Sequence, residues 1–177
     1  MNRWLLAAAA LVLFPQIAWG QPHQPYAGHE TRPIKALSAQ QVADLKAGRG
    51  MGLALAAELN GYPGPMHVLE LAESLGLSAE QVARMTGLFE AMKAEAIRLG
   101  ETLIAAEAAL DGQFAQRSVT PTSLSDGVKT ISAIQAALRE AHLKYHLATV
   151  EVLTPAQIAR YAELRGYAGS GHAPRRH

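Results

Sequence analysis

Two long stripes of apolar positions dominate the chain. Apolar residues or alanine recur at 82, 85, 89, 92, 96, 99, 103, 106 and 110, in alternating steps of three and four. That spacing keeps Val82, Met85, Phe89, Met92, Leu99, Leu103 and Leu110 on one side of a helix, as the seam for a second helix. After a break over Arg117 to Pro121, Leu124, Val128, Ile131, Ile134, Leu138, Ala141, Tyr145, Ala148 and Val152 repeat the pattern. Two such helices joined by a short turn predict a long antiparallel hairpin over about 78–152 in an all-α fold. The first helix, running to about Gln116, is expected to be roughly 55 Å long. Gly87, Gly100 and Gly112 interrupt it, each costing about 1 kcal/mol relative to alanine, and should mark bends or close contacts. The second helix is expected to begin near Thr122 or Ser123.

Short helices flank the hairpin. Ser38 with Gln41, Ser78 with Gln81, and Thr154 with Gln157 have the spacing of capping boxes, in which a hydroxyl and an amide satisfy the backbone at a helix start. The first box predicts a helix ending near Gly48, and a short piece follows from Met51 to Leu59. Asn60 to Pro65 is a strong breaker, and Pro65 fits the first turn of a helix that stops at Gly76. Pro155 likewise opens the last helix, which closes at Gly166.

Outside this pattern, Met1-Asn2-Arg3 followed by the apolar run Trp4 to Phe14, and then Ala18-Trp19-Gly20, read as a cleavable signal peptide over 1–20. The run is too short for a membrane span of roughly 20 residues. Export to the periplasm is therefore expected. Residues 21–36 read as a flexible leader, 37–167 as the helical domain and 168–177 as a disordered tail.

Composition narrows the function classes. The chain has no cysteine, so neither a disulfide nor a lipid anchor on cysteine is expected. Of its 16 Lys+Arg, one lies in the first 20 residues, leaving 15 against 15 Asp+Glu, interleaved along the chain. A nucleic-acid surface would concentrate bases on one face, and none is expected. No glycine loop fit to cradle phosphate is present. Ser118, Ser123, Ser125 and Ser132 lie at a helix start or on a helix surface, without a nucleophile elbow. His142-Leu143-Lys144-Tyr145-His146 lacks the internal glutamate of a metal hydrolase. No catalytic activity and no small-molecule substrate are expected.

Leu77-Ser78-Ala79-Glu80-Gln81 and Leu153-Thr154-Pro155-Ala156-Gln157, each opening a helix, resemble the paired L-T-x-x-Q motifs of the Spy/CpxP family of periplasmic chaperones. The related periplasmic heavy-metal-resistance and metal-sensor proteins share those motifs. The resemblance covers about Pro65 to Tyr167, and Leu37-Ser38-Ala39-Gln40-Gln41 looks like a third copy. Its motif residues are Leu77, Ser78, Gln81, Leu153, Thr154 and Gln157; Ser78 stands where the family usually has threonine. The resemblance implies a cradle-like homodimer that binds unfolded or stress-damaged proteins without ATP and without a required cofactor, with a membrane stress-sensor protein as a further possible partner.

Two sets of candidate site residues follow. Each long helix carries apolar residues off its seam, namely Leu88, Ile97, Ile104 and Leu147, which a lone hairpin would leave uncovered for clients or for a second copy. The alternative is a metal sensor or resistance protein. His142 and His146 are four apart on one helix, a spacing that can hold zinc, nickel or copper, and His67 with Glu70 forms a second pair one turn apart. These histidines fall about one residue off the register expected of the metal-sensor relatives. The plainer expectation for His142 and His146 is a half-buried surface position. His172 and His177 in the tail are expected to be exposed.

Overall fold

The computed structural model describes residues 26–167, which form helices and turns without a strand. The expected signal peptide, residues 21–25 of the leader and the tail from 168 lie outside the described residues. The helices are α1 (Ala39–Lys46), α2 (Leu55–Glu58), α3 (Pro65–Glu70), α4 (Ala79–Ala115), α5 (Pro121–Val152) and α6 (Pro155–Leu164).

All three expected capping boxes form, at Ser38/Gln41, Ser78/Gln81 and Thr154/Gln157. A fourth, Thr120 with Ser123, starts α5 earlier than expected and places Pro121 in the first turn, where its missing N–H costs nothing. The end of α4 is closed by Arg117 in the left-handed region, φ 53°, with the Ser118 N–H bonded back to the Gln113 carbonyl and the Arg117 N–H to that of Phe114. This terminal wrap usually has glycine at the left-handed position. The chain turns within a few residues from one long helix into the next.

At 37 residues, α4 is about 55 Å long, and α5 packs along it. Gln81 bonds to the Val152 carbonyl, Lys144 pairs with Glu95, and Leu110 lies against Gly127, so partners run in opposite order along the two helices. Between them, Ala96, Leu99, Leu103, Ile131, Leu138 and Ala141 form the larger core, to which Leu45 of α1 contributes. Burying each of its larger side chains contributes about 1.5–3 kcal/mol. The seam does not stay covered to the turn: Leu124 and Val128, expected on it, are exposed, as is Phe114.

A second core joins the ends of the long helices to the short ones. Val68, Leu75, Met85, Val152, Leu153 and Tyr161 pack together, with Leu77 and Leu88 against them. Here the two motif glutamines meet. The Gln81 amide donates to Gln157 Oε1 at 2.9 Å and Gln157 donates back to Gln81 Oε1 at 3.1 Å, while each carbonyl also accepts its own cap's backbone N–H. Glutamine serves where glutamate would cap equally well, because only the amide brings a donor as well as an acceptor.

The N-terminal segment departs from the sequence expectation in extent and role. Residues 51–54 are turns rather than helix, with Met51 and Gly52 at positive φ, so α2 shortens to Leu55–Glu58. Residues 71–76 are also turns: the Leu71 and Ala72 N–H groups bond three residues back, ending α3 at Glu70 rather than Leu75. The leader is not featureless from Tyr26 on; His29–Thr31 form a 3-10 turn, and Lys35 holds Asp111 through its backbone N–H (3.1 Å) and its ammonium (3.5 Å). Most consequentially, α1 and α3 lie on α4. The chain's own N-terminal part thus covers apolar surface that a bare hairpin would leave for a second subunit.

Candidate functional site: a cleft under a glycine-rich lip

The segment from Ala47 to His67 arches over α4 and α5 and leaves a cleft of about 580 Å³. Its wall is mostly apolar: Phe89 and Met92 come from α4, and Met51, Leu55 and Met66 from the segment itself. Two glycines permit the close approach of segment and helices. A Cβ on Gly48 would stand 3.0 Å from the Lys93 carbonyl oxygen, and one on Gly64 would stand 2.9 Å from the His146 ring. Apolar side chains of the same segment are exposed, Leu55 and Leu59 by more than half and Met51, Tyr62 and Met66 at 40–43 %.

His142 and His146 both line this cleft, and both are buried rather than half-buried as expected. Their face of α5 is roofed by the glycine-rich segment, a neighbour that helical periodicity does not reveal. His146 Nδ1 donates to the Tyr62 carbonyl at 2.6 Å, since a carbonyl can only accept, and it stands 3.9 Å from Glu58 Oε2. His142 makes no hydrogen bond among the described residues, and its Nε2 is fully buried without a partner. Leaving such a group unpaired costs about 1–3 kcal/mol.

Glu58 is the polar hub of the site and was missed in the sequence. Only 8 % exposed, it accepts from the Tyr161 hydroxyl, from Tyr167 at 3.2 Å and from the Gly64 N–H at 3.2 Å, with Arg165 Nε at 3.7 Å. It ties α2 and the lip to α6 and the residues after it. Burial first, and the Glu58 carboxylate second, push the Tyr161 phenol well up, so it remains a donor.

The remaining expected residues divide. His67 lines the cleft, but Glu70, paired with its Nδ1 at 2.9 Å, does not. Among the described residues no three His, Asp or Glu side chains form a ready-made metal cluster. Of the off-seam apolar residues, Leu147 is exposed; Leu88 and Ile104 are half-buried against the two cores, and Ile97 lies against the Gly48 position. The physical reason is the covering of α4 described above. The Met, Leu and Tyr residues scattered among glycines over 48–66 were the available signal for the lip, but they carry no helical period.

Burial, with a smaller contribution from His146, holds the His142 imidazole below the ordinary value of 6.5. The unfolded chain takes up this proton near 6.5 and the folded chain only at lower pH, so unfolding binds a proton as the solution becomes acid. His142 therefore reduces stability progressively as pH falls through that window, and carries no such penalty above it. Melting temperatures at about pH 7.5 and 5.5 should differ less in His142→Phe than in the parent chain. An equal acid loss in both would remove His142 as the cause.

Comparison of the chain with protein-family models, with curated proteins and with solved structures finds no match.

Proposed function

We propose that this is a periplasmic, ATP-independent chaperone-like protein that holds unfolded or stress-damaged proteins on its apolar lip. The observation that carries the reading is the group Met51, Leu55, Leu59, Tyr62 and Met66, all at least 40 % exposed within one short stretch. Contiguous exposed apolar groups edged with charge suit binding rather than folding, and methionines adapt to irregular partners. The paired L-T-x-x-Q motifs and their resemblance to the Spy/CpxP family support the same reading. On it the earlier client residues are narrowed to Leu147, with the lip added, and a second copy of the chain remains a proposed partner.

The metal reading keeps one supporting observation: His67, His142 and His146 line a single cleft. It would use zinc, nickel or copper held by imidazole nitrogens.

One pair of measurements separates the readings. The protein should suppress aggregation of a chemically denatured test protein at about stoichiometric amounts, and the double variant Leu59→Ser, Leu147→Ser should suppress it several-fold less. Both positions are exposed, so the fold should survive. His142→Ala with His146→Ala should abolish calorimetric metal binding on the metal reading. No suppression by the parent chain sinks the first reading; no metal binding by it sinks the second.

A further inference from the structure

We propose that the cleft between α4, α5 and residues 47–67 is a binding site for a small amphipathic monoanion, an apolar body carrying one carboxylate or similar head group. This goes beyond client binding on the lip.

Size and lining come first. A volume of about 580 Å³ falls in the range of small-molecule sites, which are mostly apolar with a few placed polar groups. Phe89, Met92, Met51, Leu55 and Met66 supply the apolar wall. It is too large for one buried water and too apolar to hold many.

The polar groups then select the head group, because most of them already hold a partner. Glu58 is taken by two tyrosines and the Gly64 N–H, His146 Nδ1 by the Tyr62 carbonyl, His67 Nδ1 by Glu70, and Arg49 by Asp44. These bonds leave the second ring nitrogens of His67 and His146, the terminal nitrogens of Arg49, Lys93 and His142 without a partner among the described residues. Lys93 is exposed and has no ion pair among the described residues, and His142 has no hydrogen bond. The Nδ1 edge of His142 faces Gly50, 3.7 Å from where a Cβ would sit there, and Gly50 also lines the cleft. A neutral imidazole in the wall and an uncommitted cation nearby suit one anionic oxygen group better than a cation or a neutral molecule. A bare inorganic anion would leave the apolar wall unfilled.

The test uses anilinonaphthalene sulfonate, itself an apolar body with one anionic head. The dye should saturate at one equivalent per chain, and decanoate below its micelle concentration should displace it, with decanol at least about ten-fold weaker. Lys93→Glu should weaken decanoate about ten-fold and leave decanol unchanged, its fold checked by an unaltered melt. The Leu59→Ser, Leu147→Ser variant lies outside the cleft lining and should bind decanoate like the parent, so loss of client binding and loss of this site are separately visible. Absence of saturable dye binding, equal affinity for decanoate and decanol, displacement by zinc but not by decanoate, or indifference of decanoate to Lys93→Glu would each overturn the proposal.

Discussion

Glu58→Ala is expected to destabilise the protein by about 3–5 kcal/mol, the usual cost of removing one partner from a buried, charge-assisted network. The loss is large because the carboxylate serves several donors at once. Its removal strands the Tyr161 hydroxyl, itself fully enclosed, and the buried Gly64 N–H, while Tyr167 and Arg165 lose an acceptor and a counter-charge. Each stranded donor forfeits water without replacement. For a chain of this length the melting temperature should fall by roughly 10 °C or more. Glu58→Gln keeps an oxygen of the same reach, so it should cost clearly less. Tyr161→Phe offers an independent measure, because it removes one donor and leaves the carboxylate its other partners. If Glu58→Ala melts within about 2 °C of the parent chain, the network does not hold the lip to α6.

That hub illustrates what was legible beforehand. The long helices could be read because their stripes step by three and four, and because each motif begins with a hydroxyl followed three residues later by glutamine. Periodicity is a property of one helix and needs no knowledge of its neighbour. The Thr120 cap went unrecognised for a related reason: Ser123 closes the box in place of the usual glutamate or glutamine. Glu58, by contrast, looks like any acid on a short helix, since its tyrosine partners lie 103 and 109 residues further on. The burial of His142 and His146 was hidden in the same way. What roofs them is a glycine-rich stretch without period, whose path is set by left-handed residues and close contacts rather than by an apolar face.

The glycines of α4 give the second large effect, and with it a test of sign. Gly87, Gly100 and Gly112 look alike in sequence, each an expected weakness of about 1 kcal/mol in a helix. The structure separates them. Nothing lies within 4 Å of a Cβ on Gly87, whereas a Cβ on Gly100 would stand 2.5 Å from the Leu45 carbonyl oxygen and 3.0 Å from its carbonyl carbon. Those are backbone atoms near the end of α1, and they cannot rotate aside. Gly87→Ala should therefore stabilise by about 1 kcal/mol, raising the melting temperature by about 3 °C. Gly100→Ala gains the same helix propensity, but overpacking outweighs it, for a net loss of about 2 kcal/mol and roughly 6 °C. The strain also has a place to go. Because α1 leads directly into the Gly48 turn over Lys93 and Ile97, moving α1 off α4 should loosen the lip before the α4–α5 pair separates. Hydrogen exchange in Gly100→Ala should accelerate first over residues 39–64, with the α4–α5 core still protected. Uniform acceleration across both long helices would show instead that the N-terminal cover and the helix pair unfold as one unit.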